Sequence, residues 1–181
     1  IVFFDGGEKV PDGAALILSP EGNMVEQQTE SMLASNIFGD AAREETVLKD
    51  VIDVIDFAKD DERIEVLVLE SDRDGIEQVS EILADRSDVA AVHFITHGAD
   101  GQISLGDSWL NSTTLQQNSD AVAGWGQALT KTGDILFYGC NIAGGSDGQG
   151  LMDNITELTG AEVAASGDLT GSATFGGNWE L

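Results

Sequence analysis

The sequence predicts an α/β domain in which helices cover a mostly parallel sheet. Short apolar runs alternate with stretches whose apolar residues recur at helical spacing, which is typical of strand–helix–strand units. The length of 181 residues indicates a single domain, 1–181, with enough chain for a substantial core. The 22 glycines are well above the usual share and indicate many loops.

The apolar runs expected to form strands of this sheet are residues 1–4, 64–69, 90–96, 135–138 and 161–165. The stretches expected to form helices are residues 75–84, 115–129 and 151–158. Helices that join parallel strands form right-handed crossovers and pack back on the sheet. Gly106-Asp107 separates two short apolar runs and predicts a hairpin that projects from the sheet edge.

The segment 6–63 is the least regular part of the chain. It holds a candidate strand at residues 14–18, followed by a turn at residues 20–23 and a polar stretch. Further along, apolar residues at helical spacing predict a helix that packs on the sheet: Val47, Leu48, Val51, Ile55 and Ala58.

The charge of the chain argues against two classes of partner. Asp and Glu number 33 against 8 Lys and Arg, which gives a formal net charge of −25. This charge repels nucleic-acid phosphates and anionic lipid surfaces, so no nucleic acid is expected as a partner. No apolar run approaches the roughly 18–20 residues of a membrane-spanning helix, so no membrane insertion is expected. The single cysteine has no partner for a disulfide within the chain.

Two reactive side chains directly follow predicted strands. Cys140 comes just after the run 135–138, and His97 just after the run 90–96. The carboxyl ends of parallel strands meet at one edge of a sheet, where loops and helix N-termini supply backbone N–H groups. We therefore expect the thiol and the imidazole to lie together at that edge.

A thiol beside an imidazole suits attack on a carbonyl group. The thiolate attacks, and the imidazole gives a proton to the leaving amine. The amides of Gly98 and Cys140 would hold the oxyanion, and the glycines beside the two reactive residues would let a substrate approach the backbone. The alternative is a structural role, because single cysteines are often buried and inert, and a histidine at a strand end is often only hydrogen-bonded.

Three motifs resemble those of a known group of peptidases. They are His93-Phe94-Ile95-Thr96-His97-Gly98, Asp134-Ile135-Leu136-Phe137-Tyr138-Gly139-Cys140-Asn141 and Ala164-Ala165-Ser166-Gly167-Asp168-Leu169-Thr170-Gly171. A strand ending in His-Gly, followed later by a strand ending in Gly-Cys, resembles the caspase, legumain, gingipain and clostripain clan of cysteine peptidases. Together with the closing Gly176-Gly177-Asn178-Trp179, the motifs resemble more closely an uncharacterised caspase-like domain of large bacterial surface adhesins.

This resemblance implies a caspase-like three-layer sandwich, with helices on both faces of a mostly parallel sheet. It implies a cysteine endopeptidase, a thiol protease whose dyad is His97 and Cys140, with no required cofactor. The implied substrate is a polypeptide, including the parent chain itself, and the implied location is secreted or on the bacterial cell surface. The segment 6–63 departs from the family pattern and is expected to be an insertion or a processing region. The rival expectations are a non-catalytic interaction or adhesion module on the same fold, and a latent zymogen whose site this segment blocks.

By the same resemblance, the pocket for the residue before the scissile bond lies at the ends of the first and fifth strands. This chain has Asp5 and Asp168 there. Carboxylates in that pocket imply cleavage after Arg or Lys, as in gingipain-like and clostripain-like peptidases. The alternative is local, with Asp5 capping a loop and Asp168 making a turn with Gly167.

A second group of carboxylates predicts a calcium site. Glu70, Asp72, Asp74 and Glu81, with Gly75 at the sixth position, nearly match a calcium-binding loop. The first position is Glu rather than Asp, and a strand rather than a helix enters the loop. The alternative is therefore an ordinary turn followed by the start of a helix.

Overall fold

The computed structural model of the chain describes residues 14–19, 23–25, 45–47, 64–171 and 177–181. The strands in these ranges are β1 (Ala14–Ser19), β2 (Asn23–Val25), β3 (Glu45–Val47), β4 (Ile64–Val68), β5 (Val89–Thr96), β6 (Gly98–Ala99), β7 (Gln102–Leu105), β8 (Ser108–Asn111), β9 (Leu129–Tyr138) and β10 (Glu162–Ala165). The helices are α1 (Gly75–Ala84), α2 (Ser112–Gln117), α3 (Ser119–Ala128) and α4 (Ser146–Thr159).

In the described residues the main sheet is parallel throughout. The five strands that the structure describes in it lie in the order β10-β9-β5-β1-β4. Strands β2 and β3 form a separate parallel pair, and β6, β7 and β8 form a small antiparallel sheet. The predicted class, an α/β domain with a parallel sheet and helices, is confirmed.

The core lies between this sheet and a layer of helices. Helix α3 packs between α1 and α4. The ring of Phe94 on β5 stacks on Phe137 of β9, with centroids 4.7 Å apart, and contacts Trp125 of α3 at 6.0 Å. All three side chains are fully buried. Since side chains alternate along a strand, the neighbours His93 and Tyr138 lie on the opposite face of the sheet.

Helix α1 has the bounds that the sequence predicts, Gly75–Ala84. Its apolar residues Ile76, Val79 and Leu83 are spaced to lie on one face, and all three are buried. The Asp74 carboxylate caps the first turn by accepting a hydrogen bond of 2.8 Å from the Glu77 amide. A buried stripe and a good cap therefore both define this helix.

Four predicted elements differ in detail. The helix expected over 151–158 begins earlier, at Ser146, and ends at Thr159. The helix expected over 115–129 is two helices, α2 and α3, which meet at Asn118. The strand expected at 135–138 begins earlier, at Leu129. The hairpin at Gly106-Asp107 is confirmed, with Gly106 at a φ of 58°, but it does not project from the sheet edge. Its apolar residues pack inward against α1, since Ile103, Leu105 and Leu110 are fully buried.

Part of the segment 6–63 belongs to the main sheet. The candidate strand at 14–18 is confirmed as β1, which pairs with β4 on one side and β5 on the other. Val47, expected at the start of a helix, lies in β3 instead. The rest of that predicted helix and the predicted strand at 1–4 lie outside the described residues.

Candidate active site

The predicted pair lies at the carboxyl ends of two neighbouring strands. Strand β5 ends at Thr96 and β9 ends at Tyr138, and their parallel register pairs Ile95 with Tyr138. The pairing ends at these residues, and His97 and Cys140 each follow them by two positions. Adjacent strands lie about 4.8 Å apart, so the two segments leave the sheet as neighbours.

Glycines allow the two strand ends to meet. A Cβ atom on Gly139 would lie 2.8 Å from the Thr96 carbonyl oxygen and 3.4 Å from the Gly98 amide nitrogen. A Cβ atom on Gly98 would lie 2.3 Å from Ile142 Cγ1. Packing therefore requires glycine at both positions. The sequence analysis gave a different reason for these glycines, the approach of a substrate to the backbone. The predicted oxyanion donors, the amides of Gly98 and Cys140, lie on the two segments that meet here.

Backbone hydrogen bonds hold the loop after Cys140 from both sides. On the histidine side, the Gly101 amide donates to the Ile142 carbonyl at 3.1 Å. On the β10 side, the Asn141 amide donates to the Asp168 carbonyl at 2.6 Å, and the Ala143 amide donates to the Ser166 carbonyl. These backbone hydrogen bonds join three segments, 97–101, 140–145 and 166–170, at the carboxyl edge of the sheet.

The half-buried Cys140 thiol makes its hydrogen bond away from the histidine. Its sulfur donates to the Thr170 carbonyl oxygen at 3.8 Å. Among the described residues, no hydrogen bond joins the His97 ring to this sulfur. Catalytic hydrogen bonds are often long or absent in a free enzyme and tighten when substrate binds.

Asp168, one of the two predicted pocket acids, lies next to the cysteine loop. Its side chain is exposed, and its Oδ2 atom accepts a hydrogen bond of 2.8 Å from Asn178 Nδ2. Its backbone carbonyl accepts from the Asn141 amide, which ties it to the residue after Cys140. Asp5, the other predicted pocket acid, lies outside the described residues.

The predicted calcium ligands are not gathered into one site. The Arg73 guanidinium lies between two of them, 3.0 Å from Glu81 Oε2 and 3.8 Å from Glu70 Oε1. Asp74 is occupied as the cap of α1, and Asp72 is exposed. Within residues 64–171 and 177–181 no three His, Cys, Asp or Glu side chains form a group that could hold a metal ion. These residues instead form the turn and helix start that the sequence analysis gave as the alternative.

His93, the second histidine of the chain, lies within strand β5 and not at its end. His93 stacks on Tyr138, with ring centroids 5.9 Å apart and planes 10° apart, and Trp179 contacts Tyr138 at 6.1 Å. Burial lowers the pKa of His93 to about 4, so its ring is neutral at neutral pH. Its Nδ1 atom is buried and has no hydrogen-bond partner in the part of the chain that the structure describes.

Asp100 is a residue at this edge that the sequence analysis did not single out. Its Oδ1 atom accepts hydrogen bonds from the Gly145 and Gly148 amides, at 3.0 and 2.9 Å. Two sequence features could have indicated this contact. One is an acidic residue shortly after His97, and the other is a glycine-rich helix start shortly after Cys140. The contact joins residues 45 and 48 positions apart, a separation that local sequence patterns do not connect.

The fold and this edge define a parallel α/β domain with a cysteine and a histidine on adjacent strand ends. The chain belongs to the family described as Domain of unknown function (DUF4347), whose model matches residues 45–181. A comparison with curated proteins finds no match. In the described parts of the chain, no helix is long and apolar enough to cross a membrane.

Proposed function

We propose that this domain is a cysteine endopeptidase in which Cys140 is the nucleophile and His97 is the general acid and base. The observation that supports this best is that His97 and Cys140 each follow, by two positions, the paired residues Ile95 and Tyr138 at the ends of β5 and β9. They lie at the carboxyl edge of a parallel sheet, where α/β proteins build their sites. The close glycine contacts at Gly139 and Gly98 add support, because they hold the two segments together.

In the proposed reaction, His97 takes the proton of the Cys140 thiol, and the sulfur attacks the carbonyl carbon of a peptide bond, which forms a C–S bond and an oxyanion. The amides of Gly98 and Cys140 donate hydrogen bonds to that oxyanion. When the C–N bond breaks, His97 gives a proton to the departing amine, and a thioester is left on the cysteine. His97 then takes a proton from the water that attacks the thioester. When the C–S bond breaks, His97 returns this proton to the sulfur, which restores the thiol and releases the carboxylic acid product.

The proposal includes a finer architecture, a caspase-like three-layer sandwich with helices on both faces of the sheet, within a single domain 1–181. Helices α1, α3 and α4 form one of these layers. The opposite face of the sheet carries the stacked rings of His93 and Tyr138, an aromatic surface that a further layer would cover. The segment 6–63, apart from β1, is proposed to be the insertion or processing region.

Cleavage after Arg or Lys is the proposed specificity. Asp168 supports it, because its carboxylate is exposed while its backbone is tied to the cysteine loop. The Asn178 side chain holds one carboxylate oxygen and fixes the orientation of the group. A guanidinium binds a carboxylate through paired hydrogen bonds, so an oriented acid beside the nucleophile favours a basic side chain.

The proposed substrate is a polypeptide, and the parent chain is the first candidate. On this proposal the domain processes a secreted or cell-surface protein that carries it, without a required cofactor. The strongly acidic composition is compatible with that location. Intact-mass measurement of a longer stretch of the parent protein, with Cys140 and with Cys140→Ala, tests self-processing. Cleavage in the first chain alone is expected, and no cleavage in either would contradict it.

A latent state is the second candidate, and a specific contact favours it. The Cys140 thiol donates its hydrogen bond to the Thr170 carbonyl at 3.8 Å, and in the described residues no hydrogen bond joins it to the His97 ring. Activation would then require this contact to break. The third candidate is a non-catalytic interaction or adhesion module on the same fold, in which the thiol would have no enhanced reactivity.

Labelling of Cys140 by an activity probe that carries Arg or Lys tests the proposed function. We expect the native protein to be labelled, with or without calcium, and the His97→Ala variant to be labelled much more slowly. His93→Phe is the matched control, since it removes the other histidine and leaves the edge intact. Cys140→Ala shows that the probe reaches no other group.

The outcomes separate the candidates. Labelling that depends on His97 and on the folded protein supports the peptidase. Labelling that is absent at first and appears after limited proteolysis supports the latent state. Equal labelling of the native protein and His97→Ala, at the rate of a free thiol, contradicts the peptidase and leaves the interaction module.

A further inference from the structure

We infer that Asp100 is a positioning residue that joins the histidine segment to the cysteine segment, so that His97 can act on Cys140. This inference rests on the proposed function. Asp100 lies three residues after His97, and both of its hydrogen-bond donors lie after Cys140. Its carboxylate therefore bridges the two segments that carry the proposed dyad.

The bridge replaces the cap that helix α4 lacks. The N-cap of this helix is Gly145, which has no side chain to accept a hydrogen bond from the first turn. The Asp100 carboxylate takes that place from outside, accepting from the amides of Gly145 and Gly148. These amides would otherwise be unsatisfied donors at a helix N-terminus, where a negative charge is stabilised.

The surrounding backbone leaves the carboxylate little freedom. A Cβ atom on Gly145 would lie 2.1 Å from Asp100 Oδ2. Next to Asp100, Gly101 has a φ of 69° and donates its amide to the Ile142 carbonyl at 3.1 Å. Two consecutive residues after His97 therefore bind the chain that follows Cys140. Asp100 does so through its carboxylate, and Gly101 does so through its backbone amide.

The experiment measures the rate of Cys140 alkylation by iodoacetamide from pH 5 to pH 9 in the full chain. The variants are Asp100→Ala, Asp100→Asn and His97→Ala. Asn111→Ala is the matched control, because the Asn111 side chain also accepts from two backbone amides at a helix start, those of Thr113 and Thr114. Circular dichroism selects a temperature at which every variant is folded.

We expect Asp100→Ala to lower the alkylation rate at pH 6 by roughly tenfold to a hundredfold, since displacement of reacting groups by about 1 Å costs up to a hundredfold. Its pH profile should approach that of His97→Ala. Asp100→Asn should stay within about threefold of the native rate, because an amide oxygen can still accept both hydrogen bonds. Asn111→Ala should lose stability but keep the native pH profile.

Each possible result supports or overturns the positioning role of Asp100. If Asp100→Ala keeps the native profile while His97→Ala loses it, the positioning role is wrong and the proposed function stands. If Asn111→Ala shifts the profile as Asp100→Ala does, the effect is general loosening and the inference is overturned. If the native protein and His97→Ala have one profile, the proposed function fails and the inference fails with it.

Discussion

The interior and the carboxyl edge of the sheet are built in different ways. In the interior, the rings of Phe94, Phe137 and Trp125 pack between sheet and helices and are all fully buried. At the edge, the segments around His97 and Cys140 are held by single backbone hydrogen bonds and by glycine contacts. The interior is a broad apolar contact, whereas the edge is a set of specific polar links.

This difference predicts different sensitivities. Apolar burial stabilises in proportion to area, so changes in the interior should reduce the free energy of unfolding without a specific effect on the thiol. A single polar contact fixes the distance between two groups. Changes at the edge should therefore alter the reactivity of the Cys140 thiol more than the free energy of unfolding. The experiments below test whether stability and reactivity separate in this way.

Trp125→Ala should have the largest effect on stability. The side chain is fully buried and contacts Phe94, and its Nε1 donates to Ser80 Oγ at 2.8 Å. We expect a loss of about 3–5 kcal/mol in the free energy of unfolding, measured by urea denaturation. Trp109→Ala is the matched control, because Trp109 is 41% exposed and should change stability by less than about 0.5 kcal/mol. Equal losses in the two variants would contradict the placement of the core.

The interior is also the part of the molecule that the sequence predicts best. Helix α1 was predicted with both its bounds, because a buried stripe and a capping Asp74 are local signals. Strand β9 was predicted only from residue 135, although it begins at Leu129. Its first residues, Thr130 and Lys131 among them, have no apolar run, and they lie in the irregular stretch between Leu129 and Asp134, the two positions on either side of it that pair with β5.

His93→Phe should remove a pH dependence of stability. The pKa of His93 is about 4 in the folded protein against 6.5 for an ordinary histidine, so between these values only the unfolded chain binds the proton. The native protein should therefore lose stability as the pH falls from 6.5 to 4, by on the order of 3 kcal/mol from this group, and gain none above 6.5. Phenylalanine keeps a ring against Tyr138 and cannot titrate.

The measurement is the difference in the free energy of unfolding between the native protein and His93→Phe across that pH range. Carboxylates titrate in the same range in both proteins, so the difference isolates the histidine. A difference that does not change with pH would show that the ring is solvated. It would also contradict the burial of this face of the sheet.

Gly148→Ala should affect both stability and the thiol. A Cβ atom there would lie 1.8 Å from the Ile142 carbonyl oxygen, so helix α4 must move away from the cysteine loop. We expect a loss of about 1–3 kcal/mol and slower His97-dependent labelling. Gly150→Ala on the same helix is the control, because nothing lies within 4 Å of its Cβ position, and it should gain up to about 1 kcal/mol. Normal labelling of Gly148→Ala would contradict a fixed link between helix and loop.

The candidate site was only partly predictable for a related physical reason. His97 and Cys140 were found because each follows an apolar run, and strand ends of a parallel sheet meet at one edge. Asp100 and Thr170 were missed as partners, because their hydrogen bonds join residues 30 to 48 positions apart. Such contacts follow from how the loops are arranged after folding, and no local pattern carries that information.

A pair of serine substitutions should give the smallest effects and separate the two regions most finely. In the interior, Ser80 Oγ accepts from Trp125 and donates to the Ile76 carbonyl, so Ser80→Ala should cost about 1 kcal/mol. At the edge, Ser166 is 1% exposed, and its Oγ has no partner among the described residues. Ser166→Ala removes an unsatisfied hydroxyl and should be neutral or stabilising by less than about 1 kcal/mol. If Ser166→Ala instead destabilises the protein as Ser80→Ala does, that hydroxyl has a partner in the folded chain. The polar links at the edge would then extend beyond the three segments at 97–101, 140–145 and 166–170.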